Sequence, residues 1–379
     1  MNDPDSWTRL LILPTICLRA PVHNGKRHSK SLSTLVNQQI VFFETTSDTI
    51  LLLKSIDTVK PPSKVQGVKC SERLLRKRVS DKLSDGDVRG AFRHVSSEDS
   101  LAPYSPEVLS DLLTKHPKQP PNRRSFPDTS DCTPPVITLE EVAAVIKSFP
   151  LGSSGGITRL RPQHLKEATR NEAGDQQKRL SQQLTYLMNA IISNKLPTHL
   201  LPVFFGANIT ALNKKGGGIR PIAVGETIRR IASKCALKRV EKSVSTLISP
   251  FQLGCGVRAG IDAAIHSMRS KVTSASETDV LLKLDLRNAF NTIRRDHIAD
   301  CLSKYAPDLL PFFSACYSNS SFLAFGHDII FSEEGLQQGD PLAPLYFCLG
   351  LHDILLRLRT PFKTAYLDDV ALLGDPDCA

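Results

Sequence analysis

The chain is 379 residues long, 41% hydrophobic and 23% charged, ordinary proportions for a globular protein with room for two or three domains. No apolar run reaches the ~18 residues that span a bilayer, since even Leu342 to Leu356 is broken by His352 and Asp353, and the apolar stretch Leu10 to Leu13 follows Asp3 and Asp5 instead of a basic segment; a membrane protein and a secretory signal are both disfavoured, and an intracellular protein is expected. The net charge is +10, and nine cysteines are scattered without a Cys-x-x-Cys pair, which argues against a zinc knuckle or a disulfide scaffold and predicts reduced, mostly buried thiols.

The charge is unevenly spread. Residues 151 to 250 hold 16 Lys and Arg against 5 Asp and Glu, a net +11, whereas residues 301 to 379 hold 4 against 10, a net −6. One part suits polyphosphate and the other suits cations, although a solvated basic face gives the same sums.

Along the first 60 residues no motif emerges; Ile40 to Phe43 and Ile50 to Leu53 read as short strands or buried helix pieces. From Pro61 to Gly90 the chain is basic and helix-compatible, with Arg73, Arg76, Lys77 and Arg78, either a nucleic-acid contact or a solvated helix face. Proline and polar residues dominate from Pro117 to Pro135, the composition of an extended linker, and place a boundary near residue 135.

Thr138 then caps a helix with Glu141 three residues on, ahead of the apolar positions Val142, Val145 and Ile146, and the helix ends at Phe149-Pro150. The loop Gly152-Ser153-Ser154-Gly155-Gly156, followed by Arg159 and Arg161, suits either close approach to phosphate or a simple turn. A long helix is expected through about Gln176 to Asn194, stopping at Pro197. Val203 to Leu212 and Ile219 to Val224 read as a hairpin with a basic tip from Lys214 to Gly218. The helix after it carries Ile228, Ile231, Ala232 and Cys235 on one stripe, with Arg229, Arg230, Lys234 and Lys238 expected on a cationic polar side.

Three segments then carry chemistry. Val280 to Asp285 reads as a strand on which Lys283 and Asp285 share a face, because side chains alternate with period two; Asp285 ends it. Gly335 to Pro341 leads into a largely apolar helix, with Asp340 suited to cap it and Pro341 at its first position, while Gly339 lets the backbone approach a ligand closely. Lys363 to Leu367 and Val370 to Leu373 flank a tight turn at Asp368-Asp369. Adjacent carboxylates repel, and hard divalent cations take oxygen ligands in such settings. Each segment alone has a plain structural explanation.

Taken in order, the sequence carries a basic hairpin with Arg220-Pro221-Ile222, then Lys283-Leu284-Asp285-Leu286-Arg287-Asn288-Ala289-Phe290, then Gln338-Gly339-Asp340-Pro341-Leu342-Ala343-Pro344, then Tyr366-Leu367-Asp368-Asp369. This succession resembles the reverse transcriptases of non-LTR (LINE-like) retrotransposons over roughly Thr138 to Gly374. The resemblance implies an α+β right-hand polymerase, with an unassigned segment at 1–60, a basic helical region and linker at 61–135, fingers at 136–250 and an antiparallel palm sheet within 251–379. It implies an RNA-directed DNA polymerase acting on an RNA template, a DNA primer and dNTPs, with two Mg²⁺ ions, for which Mn²⁺ can substitute. By the same resemblance Asp285, Asp368 and Asp369 are catalytic and metal-binding; Gln338 and Gly339 line the template and incoming nucleotide; Arg220, assisted by Lys214 or Lys215, contacts the triphosphate; and Phe290 excludes a 2′-hydroxyl. Asn291 departs from the family, which commonly has Asp there. Because only ten residues follow Asp369, the resemblance also implies an incomplete palm without primer grip or thumb, hence impaired primer extension. A nucleic-acid-binding module without catalysis, an RNA-directed RNA polymerase and a purely structural protein stand as the competing readings.

Overall fold

A computed structural model of the chain describes residues 3–18, 32–57, 72–84, 86, 88–96, 100–170, 174–214 and 217–378. Five helices come first: α1 (Pro4–Cys17), α2 (Leu32–Thr45), α3 (Thr49–Asp57), α4 (Glu72–Ser84) and α5 (Val88–Ser96). Ile40 to Phe43 and Ile50 to Leu53 thus lie in helices, one of the two forms open to such short apolar runs. Ile12, Ile16, Cys17, Phe43 and Leu52 form a small core among α1, α2 and α3, and Trp7 joins α1 to the main core. In the basic run, Arg76 is exposed and pairs with Glu72 one helical turn earlier at 2.7 Å, the arrangement of a solvated helix face.

α6 (Pro106–Lys115) begins at Ser105, whose hydroxyl accepts from the Val108 N–H. The proline-rich stretch after it has no regular secondary structure, yet it does not behave as a loose linker. Arg123 donates to the carbonyls of Tyr317 and Ser318 at 2.9 and 3.1 Å, and the Arg124 N–H donates to Asp296 at 3.0 Å. The segment is pinned along the molecule because its arginines reach carbonyls and a carboxylate nearly two hundred residues away in sequence, which composition cannot reveal.

α7 (Leu139–Ser148) has the predicted capping box between Thr138 and Glu141. α8 (Pro162–Ala168), α9 (Gly174–Ile192) and α10 (Leu201–Phe204) follow. The expected strand from Val203 is overturned at its start: Leu201 to Phe204 are helical, with Leu201, Phe204 and Phe205 buried in the main core, and the strand β1 runs over Ala207–Asn213. It pairs with β2 (Ile219–Gly225) through a full antiparallel register from Ala207 opposite Gly225 to Asn213 opposite Ile219.

α11 (Thr227–Ile248), α12 (Gly260–Thr273), β3 (Val280–Asp285), α13 (Ala289–Thr292), α14 (Arg295–Tyr305) and α15 (Leu310–Tyr317) come next. The hairpin of β4 (Ser321–Phe325) and β5 (Asp328–Ser332), which the motif reading passes over, completes a four-stranded sheet of order β2-β1-β4-β5, with a short parallel joint between β1 and β4. Its inner face buries Ala207, Ile209, Ala211, Ala223, Leu323 and Ile330, with Leu112 of α6 in the same cluster.

α16 (Ala343–Arg357), β6 (Phe362–Tyr366) and β7 (Asp369–Gly374) finish the described chain. α16 is apolar almost all round, and Leu345, Tyr346, Phe347, Cys348 and Leu349 are buried at its centre, as a core helix demands. It starts two residues later than Asp340-Pro341 suggests, although Asp340 Oδ1 still accepts from the Leu342 N–H at 3.1 Å. β3, β7 and β6 form a second sheet, wholly antiparallel, in the order β3-β7-β6. One face of it, through Leu284, Ala365, Val370 and Leu372, closes the main core of α7, α9, α11, α14, α15 and α16. The architecture is α+β. Among the described residues no helix is long and apolar enough to cross a membrane, and Cys17, Cys132, Cys235, Cys255, Cys301, Cys316 and Cys348 are free thiols, all but Cys132 buried.

Candidate functional site

The β3–β7 ladder places Asp285 directly opposite Asp369. Partners across an antiparallel ladder project to the same face with Cβ atoms about 5 Å apart, so the last residue of β3 and the first of β7 bring two carboxylates together at the open end of the sheet. Both are exposed. Two residues before Asp285 and on its face, Lys283 extends its ammonium to within 3.6 Å of the Asp369 carboxylate, a counter-charge to a like-charged pair. Beside them a cavity of about 230 Å³ lies between α12 and the sheet, lined in part by Met268, Lys283, Tyr366 and Asp369.

Asp368 stands at the tip of the β6–β7 hairpin, half-buried, next to Leu367, whose φ of +56° is left-handed. Branched side chains rarely adopt that conformation, and it persists only when the surroundings over-determine it. Here they do. The fully buried Gln252 accepts from the Leu367 N–H through Oε1 at 2.8 Å and donates from Nε2 to the Leu367 carbonyl at 3.1 Å. Its neighbours pair with β6: the Leu253 N–H donates to the Ala365 carbonyl at 2.8 Å, and the Ala365 N–H to Phe251 at 2.6 Å. A side chain at Gly254 would stand 2.5 Å from the Leu367 nitrogen, which is why glycine is needed there. Motif reasoning missed Gln252; its only local signal is an amide embedded in the apolar, glycine-flanked run Phe251 to Gly256.

The Gln338 carbonyl accepts from the Ala223 N–H of β2 at 2.7 Å. Gly339 follows at φ +134°, and a Cβ on it would run into the Ala223 carbonyl oxygen. The Gln338-Gly339 turn is therefore seated against β2, the strand that carries the exposed Arg220 three residues before Ala223. Lys214 is exposed at the near end of the hairpin tip, and its N–H donates to the Gly218 carbonyl at 3.0 Å; Lys215 lies outside the described residues. Phe290 is half-buried just beyond β3 and stacks on Phe347 of α16, with ring centroids 4.6 Å apart and planes 14° apart. Its carbonyl accepts from the Leu336 N–H, tying the segment after Asp285 to the loop that precedes Gln338.

The expected cationic side of α11 is corrected at Arg229, which is 1% exposed. It donates to the Phe205 carbonyl at 2.7 Å, Gln337 Oε1 at 2.5 Å, the Tyr317 hydroxyl at 3.2 Å and Asp340 Oδ2 at 2.9 Å. Burial alone would pull this guanidinium down; the adjacent Asp340 carboxylate more than offsets that and raises it, so Arg229 stays charged. The Tyr317 hydroxyl donates to the same Asp340 oxygen at 2.7 Å. These bonds engage both terminal nitrogens of the buried ion, as burial requires, while its Nε is left without a partner, and the result fixes Gln337 and Asp340, which flank Gln338-Gly339, to the start of α11. One turn earlier Glu226 is also buried and accepts from the Thr158 N–H and hydroxyl at 2.9 and 2.5 Å. Burial pushes its carboxyl up, partly countered by those hydrogen bonds. Gly156 packs on the Glu226 backbone too closely for any side chain, so the Gly/Ser loop is shaped by contact with α11. Arg230 and Lys234 are half-buried, the former donating to the Ser154 carbonyl at 2.7 Å and the latter lying 4.2 Å over the Phe149 ring; Lys238 is exposed.

The carboxylate oxygens of Asp285, Asp368 and Asp369 are the donor type that hard divalent cations prefer, and the register brings two of them face to face. Among the described residues, however, no three His, Cys, Asp or Glu side chains converge closely enough to hold a metal ion, and the Lys283 ammonium supplies the positive charge beside Asp369.

Residues 212–378 match the reverse transcriptase (RNA-dependent DNA polymerase) family. The chain is similar to the retrotransposable element SLACS 132 kDa protein of Trypanosoma brucei gambiense, with 30% identity over 203 residues covering 50% of this chain and 16% of that protein. It is also similar to the retrovirus-related Pol polyprotein from type-1 retrotransposable element R2 of Popillia japonica, with 27% identity over 231 residues covering 50% of this chain and 32% of that polyprotein. The chain spans well under half the length of either relative. In this family, activity depends on divalent metal, nucleic acid and deoxynucleotides. The match over residues 212–378 and the two relatives together show that the chain carries a reverse transcriptase domain of the non-LTR retrotransposon type, with which the α+β architecture is compatible.

Proposed function

We propose that this chain copies RNA into DNA, with a primer 3′-hydroxyl attacking the α-phosphate of a dNTP and pyrophosphate leaving. Residues 136–250 act as fingers and 251–379 as palm. The observation that carries the reading is the register that sets Asp285 opposite Asp369 beside the Asp368 turn, because two-metal nucleotidyl transfer needs carboxylates brought together at one point. Asp285, Asp368 and Asp369 would hold two Mg²⁺ ions, which when bound stabilise charge on the attacking and leaving oxygens. Arg220, with Lys214 and Lys215, meets the triphosphate. Gln338 and Gly339, seated on β2, present backbone to the base pair. The Phe290 ring, braced on Phe347, fills the space a 2′-hydroxyl requires and so favours dNTPs.

A second reading, nucleic-acid binding without catalysis, is favoured by the Lys283 ammonium already lying 3.6 Å from the Asp369 carboxylate. Extension of a DNA primer on an RNA template, with dNTPs and Mg²⁺, separates the two. Extension by the parent chain that disappears in the Asp368→Ala, Asp369→Ala variant supports polymerisation; binding of primer–template without extension, unchanged by the double substitution, supports the second.

A further inference from the structure

Gln252 lies outside every segment that carries the motif chemistry, yet its side-chain amide bonds both the N–H and the carbonyl of a single residue of the aspartate turn. Its Oε1 accepts from the Leu367 N–H and its Nε2 donates to the Leu367 carbonyl, at 2.8 and 3.1 Å. The same Oε1 accepts from the Gly254 N–H at 3.0 Å, which fixes the amide's orientation. A side-chain amide that grips both the N–H and the C=O of one residue acts as a strand partner would, and it does so at the one place in the β6–β7 hairpin where the backbone is left-handed. Leucine disfavours that conformation intrinsically; in the absence of the grip the turn would relax toward a right-handed form and swing the residues after it.

We propose that Gln252 is a positioning residue for the metal site, holding Leu367 in its left-handed conformation and thereby aiming the Asp368 and Asp369 carboxylates toward Asp285. This rests on the reading of those three aspartates as metal-binding. Gln252 touches neither substrate nor metal in this scheme; it acts through the turn. The flanking segment reinforces it, since Phe251 and Leu253 pair with Ala365 and Gly254 leaves room for the Leu367 side chain. The position of the whole turn is thereby set from the end of α11.

The test uses the full 379-residue chain. Gln252→Met keeps length and volume and removes both hydrogen bonds to Leu367 together with the one from the Gly254 N–H. Three quantities are read: hydrogen exchange of the Leu367 amide, the Mg²⁺ concentration that half-saturates thermal stabilisation, and primer extension on an RNA template. The expected result is faster Leu367 exchange and a rise of about tenfold in the Mg²⁺ requirement, the scale on which groups that orient metal ligands act. The Gln252→Met, Leu367→Gly double variant should recover most of that rise, because glycine adopts a positive φ without strain. A lower melting temperature with an unchanged Mg²⁺ requirement would show that Gln252 serves stability alone and overturn the proposal; unchanged Leu367 exchange would do the same. If Gln252→Met does not fold, Leu367→Gly must restore folding, and failure to do so overturns the proposal. If the parent chain neither responds to Mg²⁺ nor extends primers, the metal reading of the aspartates fails, and the grip on the turn is decided by Leu367 exchange.

Discussion

Lys283 and Asp369 meet across the β3–β7 ladder, ammonium to carboxylate at 3.6 Å, one step from the point where Asp285 faces Asp369. Both side chains are more than half exposed, so as an ion pair they contribute less than about 1 kcal/mol. Their larger effect is on how the two carboxylates tolerate each other. Lys283→Met should therefore lower the melting temperature only slightly in the absence of divalent cations, and Mg²⁺ should stabilise the variant more than the parent. Melting curves across a magnesium titration check this; identical increments in the two proteins would remove Lys283 from any part in balancing the site.

Phe290 owes its position to the ring of Phe347. Trimming it to valine removes a half-buried ring and should cost about 2 kcal/mol of stability. In single-nucleotide incorporation the variant should lose about tenfold, or about 1.4 kcal/mol, of discrimination against ribonucleotides. Undiminished discrimination would assign Phe290 to packing alone.

Gly339 sits where φ is +134° and the Ala223 carbonyl leaves no space for a methyl group. Gly339→Ala must either strain its backbone or lift the turn from β2, with a loss of about 1–3 kcal/mol. Denaturant midpoints report the loss, and amide exchange at Ala223, whose acceptor is the Gln338 carbonyl, reports which of the two occurs. A midpoint equal to the parent's contradicts the close seating of this turn.

Glu226 gives the fold a dependence on pH. Burial raises its carboxyl above the ordinary value of 4.5, so between that value and the raised one the folded state holds the proton more tightly than the unfolded chain does. The stabilisation is complete below 4.5 and is lost as pH rises through the raised value. Glu226→Gln, still able to accept from the Thr158 N–H, should flatten this descent in melting temperature. A pH profile parallel to the parent's would show that Glu226 does not titrate in that window.

Arg220 and Lys214 lie exposed on the β1–β2 hairpin. Each phosphate contact to single-stranded nucleic acid adds roughly 0.7 to the slope of log affinity against log salt. Replacing both residues by alanine should therefore lower the slope by about 1.4 for single-stranded RNA, as measured by fluorescence anisotropy. An unaltered slope would place the phosphate path elsewhere.

Local pattern carried much of the architecture. The capping box at Thr138, the strand β3, and the paired strands around Asp368-Asp369 are dictated by neighbours within a few residues, and the structure shows each of these elements. Arg229 shows where pattern stops. At about 100° per residue Arg229 stands about 180° from Lys238 and about 60° from Ala232, at the edge of the apolar stripe, but the acceptors Gln337 and Asp340 that let a guanidinium be buried there lie 108 and 111 residues further on, beyond the reach of any local pattern. The start of β1 was misplaced for a related reason: Leu201 to Phe205 is a short apolar run, and whether such a run is helix or strand depends on the core it enters. Gln252 was invisible because its partner is a backbone group of another segment, which no side-chain pattern encodes.

The parallel joint between β1 and β4 spans two residue pairs, Ala207 with Leu323 and Asn208 with Ala324, and it sets the timetable of assembly during synthesis. A ribosome adds about 5–20 residues per second, so after the β1–β2 hairpin has emerged, on the order of ten seconds pass before its partner strand exists. Over that interval the end of β1 that β4 will take, Ala207 and Asn208, is open, whereas its far end can already pair with Ser100 and Ala102, which bond Asn213 and Ala211; an open strand edge is the kind that captures other nascent chains. The Gln338 carbonyl that docks on Ala223, and the aspartate turn after it, arrive later still. If that open end matters, co-expression with a holding chaperone should raise the soluble yield more than lowering the temperature after synthesis is complete, and an equal yield would show that the wait between residues 225 and 321 exposes nothing of consequence.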